Sequence, residues 1–400
     1  MFFEFNAYSS LLLICFVQGL LFACLYFYRG FKKEELHPKL LACILLMYSA
    51  FVANWMLGFA GWYDSHDWRT ILMFYFPWRY WLALGPLTWF YFRSLTNRNF
   101  GIKGKDWFHF LPVGLYSLIE ALVAIWDLIV IGELPYFYGT KGAIMEEGFW
   151  GEHIYYPAVK IVTIFSIFYY FIKTLRAYNA YRIYLDNNFS ETTLIHFSWL
   201  RNVLYIVLVG QILRIVFEIA ELTSPNGLTY IQTWWEYLGF GLMIYYLSIS
   251  AYNERPFQAN YLVFDLEKEA VNKEKTEKEK TALDTVDLAT KQRILDHMEQ
   301  SKIYLNDQLT LSELAKGLSL HPNQLSRIIN LAFQKNFNEF VNYYRVEAAK
   351  EKLVDPNLSH LSILGIAYEC GFRSKATFNR AFKSATNLSP NNWKKQRQNA

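Results

Sequence analysis

The sequence predicts an all-α protein: a seven-transmembrane-helix bundle followed by a cytoplasmic all-helical domain with two helix-turn-helix motifs. Three observations carry this prediction. The 400-residue chain is 53% hydrophobic and 19% aromatic but only 18% charged, far from the usage of a soluble domain. Its charge is segregated: residues 8–28 and 40–62 hold no Asp, Glu, Lys or Arg, while 265–284 holds seven acids and five lysines. The C-terminal part twice repeats a short helix, a turn and a second helix. The implied division is a membrane domain over 1–253, a charged linker over 254–284 and a soluble domain over 285–400.

A bilayer core of about 30 Å needs roughly 20 apolar helical residues, because backbone groups cannot be left unpaired in hydrocarbon. Seven stretches answer to this: 8–28, 40–60, 71–92, 108–131, 154–172, 202–222 and 235–252. The first lacks the basic flank and the small-residue cleavage site of a signal peptide, so it is expected to stay as a span. Loops one, three and five carry twelve Lys and Arg, whereas loops two, four and six carry only Arg69 and Lys141. By the positive-inside rule this alternation places the N-terminus outside and everything after about residue 253 in the cytoplasm. Trp62, Tyr63, Trp68, Trp107, Trp150, Trp234 and Trp235 fall near span ends, at headgroup depth. The outer loop 132–153 is long enough to suggest a lid.

Charges inside spans are costly and usually face a bundle interior or a wet cavity. Here they are Arg79, Glu120, Asp127, Lys160, Arg214, Glu218 and Glu236, with Glu221 at an edge. Arg214, Glu218 and Glu221 share one helical face, and Glu120 and Asp127 are seven apart. Arg79, Glu120, Asp127, Lys160, Arg214 and Glu218 are therefore read as a polar network that fixes packing or lines a pocket for a small-molecule or envelope signal. The four cysteines, with no CxxC spacing, are read as small buried hydrophobes, and neither cysteines nor histidines offer a metal site. No cofactor is expected. No nucleophile–base pair, HExxH or phosphate loop points to an enzyme.

The run Glu267 to Lys280 alternates in sign without sustained heptads, as in a solvated tether. Beyond it, residues 288–400 carry sixteen Lys and Arg against nine Asp and Glu, a formal +7. Leu311 to Ala315 starts a short helix, Gly317 to Leu320 makes a turn, and Pro322 sits in the first turn of the next helix, where its missing donor costs nothing. That second helix offers Asn323, Gln324, Ser326 and Arg327 outward, over a core of Leu314, Ala315, Leu318, Leu325 and Ile328. The pattern recurs from Ile363 through Cys370-Gly371-Phe372 into a helix capped by Ser374, with Phe378 and Phe382 inward. Gly371 suits a positive φ. A helix over 338–353 joins the two units, and if rigid it sets two reading helices into successive major grooves, about 34 Å apart.

These residues resemble the DNA-binding domain of the AraC/XylS family of bacterial transcription regulators. The resemblance rests on Ile366-Ala367-x-x-Cys370-Gly371-Phe372-x-Ser374-x-x-x-Phe378-x-Arg380-x-Phe382-Lys383, on Asn387-Leu388-Ser389-Pro390-x-x-Trp393, and on Phe340-x-x-x-Tyr344-Arg345-Val346-x-x-Ala349. It covers little more than a quarter of the chain. Where the family has glycines before Phe337 and Leu388, this chain has Asn336 and Asn387, the next-best residue for a left-handed turn. The resemblance implies double-stranded promoter DNA as partner. It also implies readers at Asn323, Ser326 and Arg327 in the first recognition helix and Lys375, Thr377, Asn379 and Arg380 in the second, a set to which Gln324 is added for its outward position. Arg can pair with guanine and Asn with adenine in the major groove. Together the two halves imply a membrane-bound one-component regulator, in contact with the lipid bilayer. The alternative is a receptor or transporter-like protein whose basic tail binds lipid or protein. A homodimer is compatible with two motifs per chain but not required by them.

Overall fold

The computed structural model describes residues 4–63, 67–76, 78, 80–131, 151–192, 195, 198–225, 227–253, 262–266 and 288–398. Among them the fold is all helical, and extended pairing is limited to two isolated antiparallel bridges, Asn97 with Val263 and Phe189 with Thr310. The chain divides into two compact units, residues 1–178 with 198–263, and residues 179–197 with 264–400.

The first unit contains α1 (Ala7–Lys32), α2 (Leu36–Phe59), α3 (Trp68–Tyr75), α4 (Leu84–Thr96) and α5 (Leu111–Ile125). It also takes most of α6 (Tyr156–Asn188), then α7 (Ser198–Thr223) and α8 (Tyr230–Asn253). α1 starts at Asn6, whose side chain accepts from the Ser9 amide at 3.0 Å. It packs against α2 and α8, and α7 packs against α8. Gly241 of α8 lets α1 come close, since a Cβ there would lie 2.7 Å from Cys15 Sγ. Inside, the rings of Tyr48, Phe51, Trp81 and Phe240 cluster with centroids 4.7–5.7 Å apart, edge to face between Tyr48 and Trp81, Phe51 and Trp81, and Phe51 and Phe240.

Among the described residues, five segments are long and apolar enough to cross a membrane: Ala7–Lys32, Leu36–Phe59, Gly104–Val130, His153–Asn188 and Arg201–Glu221. They answer to five of the seven expected spans. The stretch expected at 71–92 is not one helix: α3 stops before Phe76, whose ψ of 140° is the extended conformation favoured before Pro77, and helix resumes only at Trp81. α8, 24 residues long, is not among these segments and carries Glu236 among its Tyr and Trp side chains. Apolar side chains face outward: no residue of α5 is buried, and Leu115, Leu118 and Leu122 are exposed, as are Ile14 and Leu21 of α1. Cys24 lies on that outer side of α1 and Cys43 is half-buried, whereas Cys15 and Cys370 are buried, so the expectation of four buried cysteines fails at position 24 and is met only in part at position 43. Trp68, Trp107 and Trp235 are exposed as a headgroup belt requires, but Trp234 is core, its indole donating to the Tyr8 carbonyl at 3.1 Å. Trp150, most of the 132–153 loop and most of the 254–284 linker lie outside the described residues.

The second unit holds the last turns of α6 and then α9 (Leu288–Ser301), α10 (Leu311–Gly317), α11 (Pro322–Phe333), α12 (Phe337–Val354), α13 (Ile363–Glu369), α14 (Lys375–Thr386) and α15 (Pro390–Gln398). Two cores form around α12. Phe337, Phe340 and Val341 join Ile294, Leu314, Leu325 and Ile329 in one, while Val346, Ala349 and Leu353 join Ile366, Phe372, Phe378 and Phe382 in the other. α12 is the expected connecting helix, one residue longer at each end.

Candidate nucleic-acid interface

Each helix-turn-helix is fixed by local chemistry. Thr310 and Glu313 cap α10 reciprocally, at 3.2 and 2.9 Å. The turn passes through Ser319 at φ +59°, and the Leu320 amide donates to the Ala315 carbonyl at 2.9 Å, which ends α10 and aims α11. In the second motif Gly371 has φ +87°, and a Cβ there would fall 2.7 Å from the Tyr304 carbonyl oxygen. Only glycine fits. Ser374 caps α14 by accepting from the Thr377 amide at 3.1 Å.

These caps leave the polar face of each second helix turned outward. Asn323 and Gln324 of α11 are exposed, with Ser326 and Arg327 half-buried beside them; Lys375, Asn379 and Arg380 of α14 are exposed. Thr377 differs. It is 3% exposed, and its hydroxyl accepts from Ser374 Oγ at 2.9 Å and donates to Glu191 at 3.4 Å. Ala376 and Lys383 share the exposed side of α14, and their outward position was not singled out from sequence.

One of the largest fully buried side chains among the described residues also escapes sequence reasoning as a functional residue. Arg345 of α12 is 0% exposed, and its guanidinium donates to the carbonyls of Tyr304 at 2.7 Å and Asn306 at 2.8 Å and to Ser190 Oγ at 3.0 Å. Its plane also lies over the Phe372 ring. Burial pushes its pKa down to about 10, opposed by the carboxylates of Glu191 and Asp307, so it remains a cation at neutral pH. Burial likewise holds the Cys370 thiol up at about 11. The signal for Arg345 was its place among apolar positions of α12, where an arginine must find partners.

Five of the intramembrane candidates have partners among the described residues. Glu120 accepts from the Tyr155 hydroxyl at 3.2 Å, and Asp127, 2% exposed, accepts from the Tyr75 hydroxyl at 2.8 Å. Lys160 pairs with Glu218 between α6 and α7. Arg214 lies 5.1 Å over the Trp81 ring. Arg79 lies outside the described residues.

A family model described as a helix-turn-helix domain matches residues 314–396. Among curated proteins, the chain is 31% identical over 90 residues to the uncharacterized HTH-type transcriptional regulator YtdP of Bacillus subtilis, spanning 22% of this chain and 11% of that one. It is 32% identical over 88 residues to the uncharacterized HTH-type transcriptional regulator YijO of Escherichia coli, spanning 22% of this chain and 30% of that one. A solved structure of a protein of unknown function from Listeria innocua matches 26% of this chain and 94% of its own, with 25% identity and a TM-score of 0.23.

Proposed function

We propose that this protein is a membrane-tethered one-component transcription regulator, whose C-terminal helix-turn-helix domain binds promoter DNA and whose N-terminal helices hold it at the inner membrane and receive a signal. The observation that carries the reading is the mounting of α11 and α14 on one helix, each with its polar face outward and its apolar face in a separate core. Asn323, Gln324, Ser326, Arg327, Lys375, Asn379 and Arg380 are the proposed base and phosphate contacts, with Arg327 and Arg380 the strongest candidates for guanine. Thr377 contributes by ordering the first turn of α14. The outward apolar faces of α1 and α5 support lipid contact, and the Lys and Arg bias of the loops supports an outside N-terminus and a cytoplasmic DNA-binding domain. This reading keeps a membrane part within 1–253, a linker over 254–284 and a DNA-binding part over 285–400, and it takes residues 179–197 as part of the DNA-binding body, which the grouping of 179–197 with 264–400 supports.

The test is selection of genomic DNA fragments by the full chain in lipid nanodiscs, beside an Arg327→Ala/Arg380→Ala variant and across a salt series. Selective binding that the variant loses or relaxes is the expected result. Weak binding without sequence preference, equal in both proteins, overturns the reading and favours a tail that binds lipid or protein.

A further inference from the structure

Residues 189–192, which directly follow α6, lie across the helix-turn-helix unit as a strap. Phe189 pairs with Thr310 as an antiparallel bridge, and the Ser190 amide donates to the Leu309 carbonyl at 3.1 Å. The Ser190 carbonyl accepts from Asn338 Nδ2 at 2.8 Å and its hydroxyl from Arg345 at 3.0 Å. Glu191 then accepts from Thr377, in the first turn of α14, and acts on the Arg345 guanidinium. The strap thus touches the entry to the first motif, the shared helix α12 and the start of the second recognition helix.

We propose that this strap is an autoinhibitory contact: docked, it places the Glu191 carboxylate at the end of α14 that must approach the DNA backbone, and binding of DNA requires its release. The proposal rests on the DNA-binding reading above. Its physical basis is that recognition helices enter the groove by their N-terminal turns, where phosphates gather and a fixed carboxylate repels them. The strap directly follows α6, whose first part holds most of the expected membrane span 154–172, so a signal that shifts α6 has a covalent handle on the contact.

The experiment uses the full chain in nanodiscs with a DNA fragment chosen by the selection above, comparing wild type, Glu191→Gln and Arg327→Ala/Arg380→Ala. Glu191→Gln is expected to bind about fivefold more tightly, with a salt slope steeper by about one. Hydrogen exchange at the Ser190 amide is expected to quicken when DNA is added to the wild type. If Glu191 serves only as a counter-charge for Arg345, Glu191→Gln lowers the thermal midpoint while affinity and slope stay equal or fall, and the proposal is overturned. Unchanged protection of Ser190 in the DNA complex also overturns it. Wild type and Arg327→Ala/Arg380→Ala binding alike would mark instead the failure of the DNA-binding reading, and the strap proposal would fall with it.

Discussion

At the scale of single residues, the C-terminal unit depends on a few side chains with no substitute. Arg345 satisfies carbonyls that would otherwise be buried without donors, so Arg345→Met should cost about 3 kcal/mol, read as a lower thermal midpoint of this unit. Arg345→Lys should rescue little of it, because an ammonium cannot reproduce the planar fork that reaches Tyr304, Asn306 and Ser190 together. Gly371→Ala meets both a positive φ and two carbonyls, and should cost about 2 kcal/mol in the same measurement. Cys370 should resist alkylation at pH 8 until denaturant is added, since its raised pKa keeps it a thiol at that pH; mass spectrometry of the labelled peptide reads this directly.

At the scale of elements, caps decide where the helices begin, and the two asparagines in place of the family's glycines show how far sequence reasoning reaches. Asn387 does take the left-handed conformation, φ +58°, at the end of α14. Asn336 does not: its φ is −75°, it caps α12 by accepting from the Glu339 amide at 2.8 Å, and the left-handed residue is Gln334 two positions earlier. Asn336→Ala should therefore cost about 1 kcal/mol as a lost cap, while Asn387→Gly should be neutral or slightly stabilising. Chemical denaturation of the two variants separates these signs. Ser374 and Pro322 were legible because a cap and a first-turn proline act within a few residues. The role of Thr377 was not, since the side chain that covers it, Glu191, lies far away in sequence and enters only through tertiary docking. The break between α3 and α4 was written in Pro77, but an apolar run interrupted only by Arg79 outweighed it in the reading of 71–92 as one span.

At the scale of the whole molecule, composition and charge segregation were enough to separate an apolar helical half from a basic helical one, because both follow from local physics. What sequence could not supply was the membership of residues 179–197 in the second body, since their polar backbone contacts leave no pattern in side-chain spacing. The intramembrane charges illustrate the same limit: Glu218 shares a helical face with Arg214, yet its ion pair is with Lys160 on another helix.

The sharing of α12 between two cores has a metrical consequence. Inserting one residue between Val341 and Val346 would advance the second core by about 1.5 Å and turn it by about 100° relative to the first. DNA grooves recur about every 34 Å, so the two reading helices would then be out of step with any site that fits the native protein. If both helices read DNA as proposed, α12 is a vernier between protein pitch and DNA pitch, and the distance between the two halves of the preferred site follows from the number of residues it contains.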